Sequence, residues 1–318
     1  MAAVPGSVAG GWDPLATGPI SLPRTAIRRL QKELQSLAKS PLPGVLAQCD
    51  EKDISLLHVL IVGAAETPYA DGFFHFILRY PADYPTKPPR VRFMTTDDGT
   101  LRIHPNLYAN GKVCLSILGT WSGPGWTPSL TTTSVLLSIQ SQIMQTGALR
   151  CEPGFEKADS ARVGHFDRWA EHESARVGVL RQLGEHSTLP KALKEQAAAV
   201  FAATGESTAR RCIELAREIT DGTLFEDPGK WNKGRRFRFG DLGKQLLEAW
   251  KGANPSAGGG TPALAADPAA AGASSEDGKL ATESGEHKPQ PASEPAAAGR
   301  SDSSSSDSSD SSSEEDVN

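Results

Sequence analysis

The sequence predicts an α+β protein in which a four-stranded antiparallel meander sheet packs on helices and a helical C-terminal extension follows. First, four short segments rich in branched and aromatic residues occur between positions 45 and 93, with turn residues between them. Second, helical periodicity precedes these segments and returns after position 130. Third, 318 residues with a hydrophobic share of 38% are sufficient for a substantial core. Because turns join successive strands, a meander is the simplest topology.

The first predicted helix begins at Arg24 and ends before Ser40-Pro41. Its apolar face carries Ile27, Leu30, Leu34 and Leu37. Arg28, Arg29 and Lys32 project from other faces. From the pattern alone, these cations belong either to an ordinary solvated surface or to a contact with an acidic partner.

The four predicted strands cover residues 45–47, 56–63, 72–80 and 90–93. The second and third are rich in aromatic and branched side chains, as a sheet packed against helices requires. Four prolines in residues 81–89 stiffen the loop before the fourth strand, because each ring fixes its own φ and removes a backbone donor. We expect this loop, which contains Pro88, to form a rigid docking surface.

The most informative segment runs from His104 to Cys114. Cys114 follows the turn signal Asn110-Gly111 and opens a short apolar run, so it is expected where a loop enters buried structure. A nucleophilic thiol suits such a position, and Asn106 is a candidate for stabilising an oxyanion formed near it. The alternative is that Cys114 is a small buried hydrophobe, which is how a lone cysteine usually behaves.

Further helical patterns follow the cysteine, at residues 131–144, 160–183, 192–219 with an interruption near Gly205, and 242–250. Residues 230–239 interleave basic and aromatic side chains. This pattern also occurs in proteins that bind single-stranded nucleic acid. A short basic hairpin or a surface loop is the commoner explanation, and no nucleic-acid fold signature accompanies it.

Composition sets off both ends of the chain. Residues 1–20 are rich in Gly, Ala and Pro and are predicted to form a flexible leader. Residues 253–318 carry 3 basic and 12 acidic residues and end in a serine-acid tract, so we expect a disordered acidic tail. The first 252 residues carry 30 basic and 26 acidic residues, a mild excess that does not indicate nucleic-acid binding.

The cysteines and the hydropathy pattern favour a cytoplasmic or nuclear location. Four cysteines in 318 residues have neither the spacing of a zinc site nor the density of a disulfide scaffold, which fits a reducing compartment. The sequence contains no secretory leader pattern and no run of about 18 apolar residues, so we expect no membrane association.

Several spaced motifs together resemble the ubiquitin-conjugating enzymes. His104-Pro105-Asn106, with Cys114 eight positions after the asparagine, is similar to that family's active-site signature. Tyr80-Pro81 and the segment 126–131 match its other motifs in the expected order. The inserted segment 119–125 and the Glu-Pro-Gly-Phe-Glu segment at 152–156 look like the family's Z-type members. This resemblance divides the chain into a ubiquitin-conjugating core at 21–183 and a helical extension at 184–252, between the leader and the tail.

The resemblance implies an enzyme that carries ubiquitin as a thioester on Cys114. It implies that Asn106 stabilises the oxyanion or holds the surrounding loop, and that Glu152 guides the attacking amine. A generic surface glutamate is the equal alternative for Glu152. It also implies that Arg28, Arg29 and Lys32 contact the activating enzyme, and that Pro88 and Pro128 contact a ligase. No cofactor is expected, because the activating enzyme consumes the ATP.

Three other functions remain open from the sequence. A non-catalytic member of the same fold would bind ubiquitin or a ligase, but such variants characteristically lack the cysteine. An enzyme of the same type would instead carry a different ubiquitin-like modifier, which the sequence does not identify. A cysteine protease would need a histidine placed as its base, and His104 belongs to the Pro-Asn turn.

Overall fold

The computed structural model describes residues 11–255, which lie within one compact unit. Half of the predicted leader and most of the predicted tail, at 1–10 and 256–318, lie outside the described residues. The strands are β1 (Val45–Cys49), β2 (Leu56–Val62), β3 (Phe73–Arg79) and β4 (Arg90–Phe93). They form one sheet in the order β1-β2-β3-β4, and each neighbouring pair is antiparallel. The predicted meander is therefore confirmed.

The sheet is held by apolar pairs across its central strands. Val59 lies opposite Phe76 and Ile61 lies opposite Phe74 in the β2–β3 register. Every residue of β3 is buried, which requires cover on both faces of the sheet. Helical structure supplies this cover, and the segment that follows α3, described below, contacts β3 directly.

Residues 11–255 contain α1 (Arg24–Lys39), α2 (Thr132–Ser138), α3 (Ser160–Glu173), α4 (Lys191–Glu218) and α5 (Phe239–Ala253). The π-helical segments Ile139–Ile143 and Ser174–Arg181 continue α2 and α3, so the predicted helices at 131–144 and 160–183 are confirmed in extent. Thr131 begins α2 in a reciprocal capping box with Ser134. In this part of the chain, no helix is both long and apolar enough to cross a membrane.

The third predicted helix differs from expectation at Gly205. We expected an interruption there, because glycine weakens a helix interior. Instead α4 is one helix of 28 residues. A Cβ at Gly205 would lie 2.6 Å from the buried ring of Phe201, so the glycine leaves space for that ring. The predicted interruption was wrong, because the glycine serves the packing of Phe201 and does not break the helix.

The second half of the predicted leader is packed against the sheet. Arg79 donates from Nε to the Pro14 carbonyl at 2.6 Å and from Nη1 to the Gly18 carbonyl at 2.9 Å. Asp13 is buried and pairs with Arg92. For residues 13–18 these contacts correct the expectation of a flexible leader. The buried Arg79 of β3 holds the carbonyl groups of the segment, and the half-buried Arg92 of β4 holds its carboxylate.

The helical extension packs on the core through the segment between α4 and α5. Phe225 stacks on Trp169 of α3 with ring centroids 4.3 Å apart, and Phe237 meets the same tryptophan edge to face. An isolated bridge between Leu224 and Arg236 gives the segment a hairpin-like form. The aromatic residues at 225, 237 and 239 are thus buried packing residues.

Candidate functional site

A tight turn at His104–Asn106 lies at the centre of the candidate site. His104 is fully buried, and its Nδ1 accepts a hydrogen bond from the Asn106 N–H at 2.8 Å. Burial lowers the pKa of His104 to about 3, and the nearby Arg102 acts in the same direction. The imidazole is therefore neutral, and its Nδ1 is occupied by the turn to which the sequence analysis assigned it.

Cys114 and Asn106 are joined by two hydrogen bonds. The Cys114 N–H donates to the Asn106 carbonyl at 2.9 Å, and Asn106 Nδ2 donates to the Cys114 carbonyl at 2.8 Å. The structure therefore brings the predicted nucleophile and its predicted polar partner together. In this state the Asn106 side chain holds the backbone of the cysteine, which is the second of the two roles predicted for it.

The Cys114 thiol lies in a buried position, and the residue is only 2% exposed. Burial raises the pKa of the thiol, whereas the Tyr108 hydroxyl and the charges of Lys112 and Arg102 oppose this effect. Glu152 raises it further. At neutral pH the resting thiol is therefore protonated, and attack on a carbonyl requires loss of this proton.

Glu152 is paired with an arginine that borders the His104–Asn106 turn. Its Oε2 accepts from Arg102 Nη2 at 3.0 Å, and the same nitrogen donates to the Pro105 carbonyl. The guanidinium lies 4.1 Å from the centroid of the Tyr108 ring. The predicted acidic residue is thus held beside the turn by a charge-assisted hydrogen bond, rather than lying free on the surface.

Two residues that support the site were not predicted from the sequence. Thr120, in the inserted segment, accepts from the Leu115 N–H at 3.0 Å and donates to the Val113 carbonyl at 2.6 Å, so it fixes the backbone on both sides of Cys114. Tyr108 lies between the thiol and Arg102. The position of Tyr108 within the signature segment was a signal for it, whereas Thr120 had none beyond its proximity in sequence.

The predicted activating-enzyme contacts do not form one group. Arg28 and Lys32 are exposed on α1. Arg29 instead pairs with the buried Glu33 and donates to the carbonyls of Pro128 at 3.3 Å and Leu130 at 3.1 Å. Because its Nε and Nη2 groups are engaged within the protein, Arg29 joins α1 to the loop before α2, and contact of the three cations with an activating enzyme stays a prediction.

The two predicted ligase contacts lie on loops that are tied together. Trp126 Nε1 donates to the Pro85 carbonyl at 2.7 Å, which joins the proline-rich loop before β4 to the loop before α2. Pro128 is exposed and Pro88 is half-buried. These two loops therefore present a continuous surface.

Residues 29–153 match the family model described as "Ubiquitin-conjugating enzyme". This region contains the cysteine, the asparagine and the glutamate of the site. Residues 29–153 are thus a region of the ubiquitin-conjugating enzyme type. The prediction made from the spaced motifs is confirmed, together with the α+β fold.

The chain is similar to particular members of that family. It is 43% identical over 187 residues to the "Ubiquitin-conjugating enzyme E2 Z" of Xenopus tropicalis. The aligned region covers 58% of this chain and 59% of that protein. It is 42% identical over 190 residues to the Homo sapiens protein of the same name, covering 58% and 52%. A match of 139 residues at 44% identity covers 41% of this chain and 3% of the human "Dual E2 ubiquitin-conjugating enzyme/E3 ubiquitin-protein ligase BIRC6". The chain thus spans little more than half the length of the E2 Z proteins.

Proposed function

We propose that this protein is a ubiquitin-conjugating enzyme: it accepts ubiquitin or a ubiquitin-like modifier as a thioester on Cys114 and transfers it to a substrate lysine or a ligase. The observation that carries this proposal is the reciprocal pair of hydrogen bonds between Cys114 and Asn106, within the region that matches the family model. The retained cysteine and asparagine favour an enzyme over a non-catalytic binding module.

The chemistry needs two acyl transfers. In the first, Cys114 loses its proton and the thiolate attacks the modifier's thioester on the activating enzyme. A new carbon–sulfur bond forms and the activating-enzyme thiolate leaves. In the second, a lysine amine attacks the Cys114 thioester, an amide forms, the amine gives up a proton and the Cys114 thiolate leaves. Because a thioester is already an activated acyl group, no histidine base is required for the second transfer.

Asn106 and Glu152 have separate roles in this scheme. Asn106 Nδ2 is a hydrogen-bond donor beside Cys114, so it serves either to stabilise the developing oxyanion or to fix the cysteine backbone during attack. Glu152 is a carboxylate held near the thiol, which suits it to orient the incoming amine and to receive its proton.

The surfaces of the protein fit the partners of such an enzyme. We assign Arg28 and Lys32 to contact with the activating enzyme, with Arg29 supporting them from within the fold. Pro88 and Pro128 are assigned to contact with a ligase. No cofactor is required, because the activating enzyme uses the ATP. The unpaired state of all four cysteines, in the part of the chain that is described, fits action in the cytoplasm or nucleus.

The test is a loading reaction with ATP, ubiquitin or another modifier, and each of several activating enzymes. We expect a product heavier by one modifier that disappears when the sample is reduced. Cys114→Ala should abolish it, and Cys114→Ser should give an ester product that survives the reductant. Cys151→Ala, which removes an exposed cysteine, is the matched control and should load normally. Absence of product with every activating enzyme and modifier would favour the binding-module function.

A further inference from the structure

The segment between α4 and α5 contacts Arg102, beside the His104–Asn106 turn, through Asn232. This side chain is 2% exposed, and it makes two reciprocal bonds with the backbone of Arg102. The Arg102 N–H donates to Asn232 Oδ1 at 3.0 Å, and Asn232 Nδ2 donates to the Arg102 carbonyl at 3.0 Å. The helical extension therefore satisfies both backbone polar groups of Arg102, which lies two positions before His104.

The neighbouring residue, Trp231, holds the Arg102 side chain. The guanidinium lies 4.1 Å from the Trp231 ring and 4.1 Å from the Tyr108 ring, so it is enclosed between two aromatic faces. An arginine is attracted to an aromatic face, and this attraction is stronger when the guanidinium is desolvated. Arg102 is 8% exposed, which leaves Glu152 and the Pro105 carbonyl as the acceptors of its Nη2.

The segment that carries these two residues is itself fixed. Asp227 accepts hydrogen bonds from the N–H groups of Gly229 and Asn232, which closes a tight turn around Trp231. Further along, Arg235 Nη1 donates to Asp97 at 2.9 Å. A substituent on Gly229 would collide with the Trp231 ring at 2.3 Å, so the glycine is required for the ring to take this position.

We propose that Trp231 and Asn232 are positioning residues for transfer to an amine: they fix Arg102, which in turn fixes the Glu152 carboxylate beside the thioester. This inference rests on the proposed function. It makes the helical extension a part of the active site. Loading of Cys114 does not need an amine to be oriented, so the extension acts chiefly on the second transfer.

Removal of the Trp231 ring would leave the guanidinium in contact with one aromatic face only. Its Nη2 would then be free to leave Glu152, whose side chain is 24% exposed and would take up other orientations in water. A misplaced catalytic group slows its own step, by as much as about 100-fold for a displacement of about 1 Å. The predicted effect therefore falls on the rate of aminolysis and spares attack by a thiol, which is a better nucleophile and has no amine proton to be removed.

The experiment begins with full-length protein loaded with ubiquitin, after which the activating enzyme is stopped. Discharge is then followed separately with free lysine and with 2-mercaptoethanol. We expect Trp231→Ala to slow discharge to lysine by about tenfold through the maximal rate, with little change in the half-saturating lysine concentration. Discharge to the thiol should stay within about twofold. Trp231→Phe keeps an aromatic face over Arg102 and should restore most of the lysine rate.

Two controls separate positioning from general damage. Trp250→Ala removes another tryptophan of the extension, whose Nε1 donates to the Ala202 carbonyl, and should leave both discharge rates unchanged. In a Glu152→Gln background, Trp231→Ala should have no further effect on the lysine rate, because the two changes act through one group. An unchanged melting temperature would show that the fold is intact.

The outcomes distinguish this inference from the function on which it rests. If the wild-type protein loads but Trp231→Ala slows lysine and thiol discharge equally, the positioning role is refuted while the proposed function stands. The positioning role would also be refuted if Trp231→Ala discharged to lysine at the normal rate. A further loss of the lysine rate on adding Trp231→Ala to Glu152→Gln, as large as in the wild-type background, would refute it too. If the wild-type protein accepts no modifier at all, the proposed function fails and the inference fails with it.

Discussion

Replacement of Glu33 by glutamine should destabilise the protein strongly, because this residue of α1 is buried. Its carboxylate is 6% exposed and accepts from Arg29, from the Tyr84 hydroxyl at 2.7 Å, and from the N–H and hydroxyl of Thr132, both at 2.8 Å. All of these partners are donors. A glutamine amide has one oxygen, so its nitrogen must face a donor in either orientation.

The expected cost follows from these contacts. One buried donor without an acceptor costs about 1–3 kcal/mol, and the remaining bonds lose the strength that a charged acceptor gives them. Arg29 is 32% exposed and recovers part of its loss by hydration. The free energy of unfolding should therefore fall by about 3 kcal/mol.

Guanidinium chloride unfolding of Glu33→Gln measures this change directly. Arg28→Ala, at an exposed position on the same helix, is the control and should change the free energy of unfolding by less than about 0.5 kcal/mol. The loss of unfolding free energy for Arg29→Ala should lie between those of the other two variants, since this change removes one donor to Glu33. A loss below about 1 kcal/mol for Glu33→Gln would contradict the assignment of this carboxylate as the junction of α1, the proline-rich loop and α2.

Further predictions concern the site and the stability of the fold. Asn106→Ala should lower the free energy of unfolding by about 1 kcal/mol, as measured by chemical denaturation, and should also slow modifier transfer in a single-turnover assay. With the other three cysteines changed to serine, alkylation of Cys114 should reach half its maximal rate at a higher pH than a free cysteine does, because burial disfavours the thiolate; a midpoint at or below that of free cysteine would contradict this. Burial raises the pKa of Asp97, but Arg176 and Arg235 outweigh it and bring the pKa to about 2. The resulting stability, about 2 kcal/mol, is present above the ordinary pKa of an aspartate and is lost as the pH falls through 2. Asp97→Asn should therefore flatten the stability curve between about pH 4 and pH 2 in acid unfolding; an unchanged curve would refute this.

Local patterns were sufficient to predict much of the fold. The helix from Arg24 and the strand at Arg90–Phe93 are found where the sequence predicts them, because apolar periodicity and turn residues act over a few positions. The helix after Thr131 is also found where it is predicted, and its apolar residues Val135, Leu136, Ile139 and Ile143 are buried. The candidate nucleophile and Asn106 come together because they lie only eight residues apart, on either side of one turn.

Features that depend on distant parts of the chain were not predictable in the same way. Arg79 and Pro14 are 65 positions apart, and nothing in the Gly- and Pro-rich leader indicates that a buried arginine takes its carbonyls. Arg102 and Asn232 are 130 positions apart. The aromatic and basic residues around Trp231 suggested a surface hairpin or loop, and only the fold shows that this segment encloses Arg102, which borders the His104–Asn106 turn. The contacts of Arg29 with the loop before α2 were not predictable either, because helical spacing does not show which cation meets a neighbouring loop.

The most direct test of the central claim is the intact mass of the protein after incubation with ATP, an activating enzyme and a modifier. We expect a species whose mass equals the mass of the chain plus that of one modifier, minus that of one water. The added mass should be released by a thiol, and peptide mapping under acidic conditions should place it on Cys114. A thiol-stable adduct on a lysine without any on Cys114, or loading that persists in Cys114→Ala, would contradict the account.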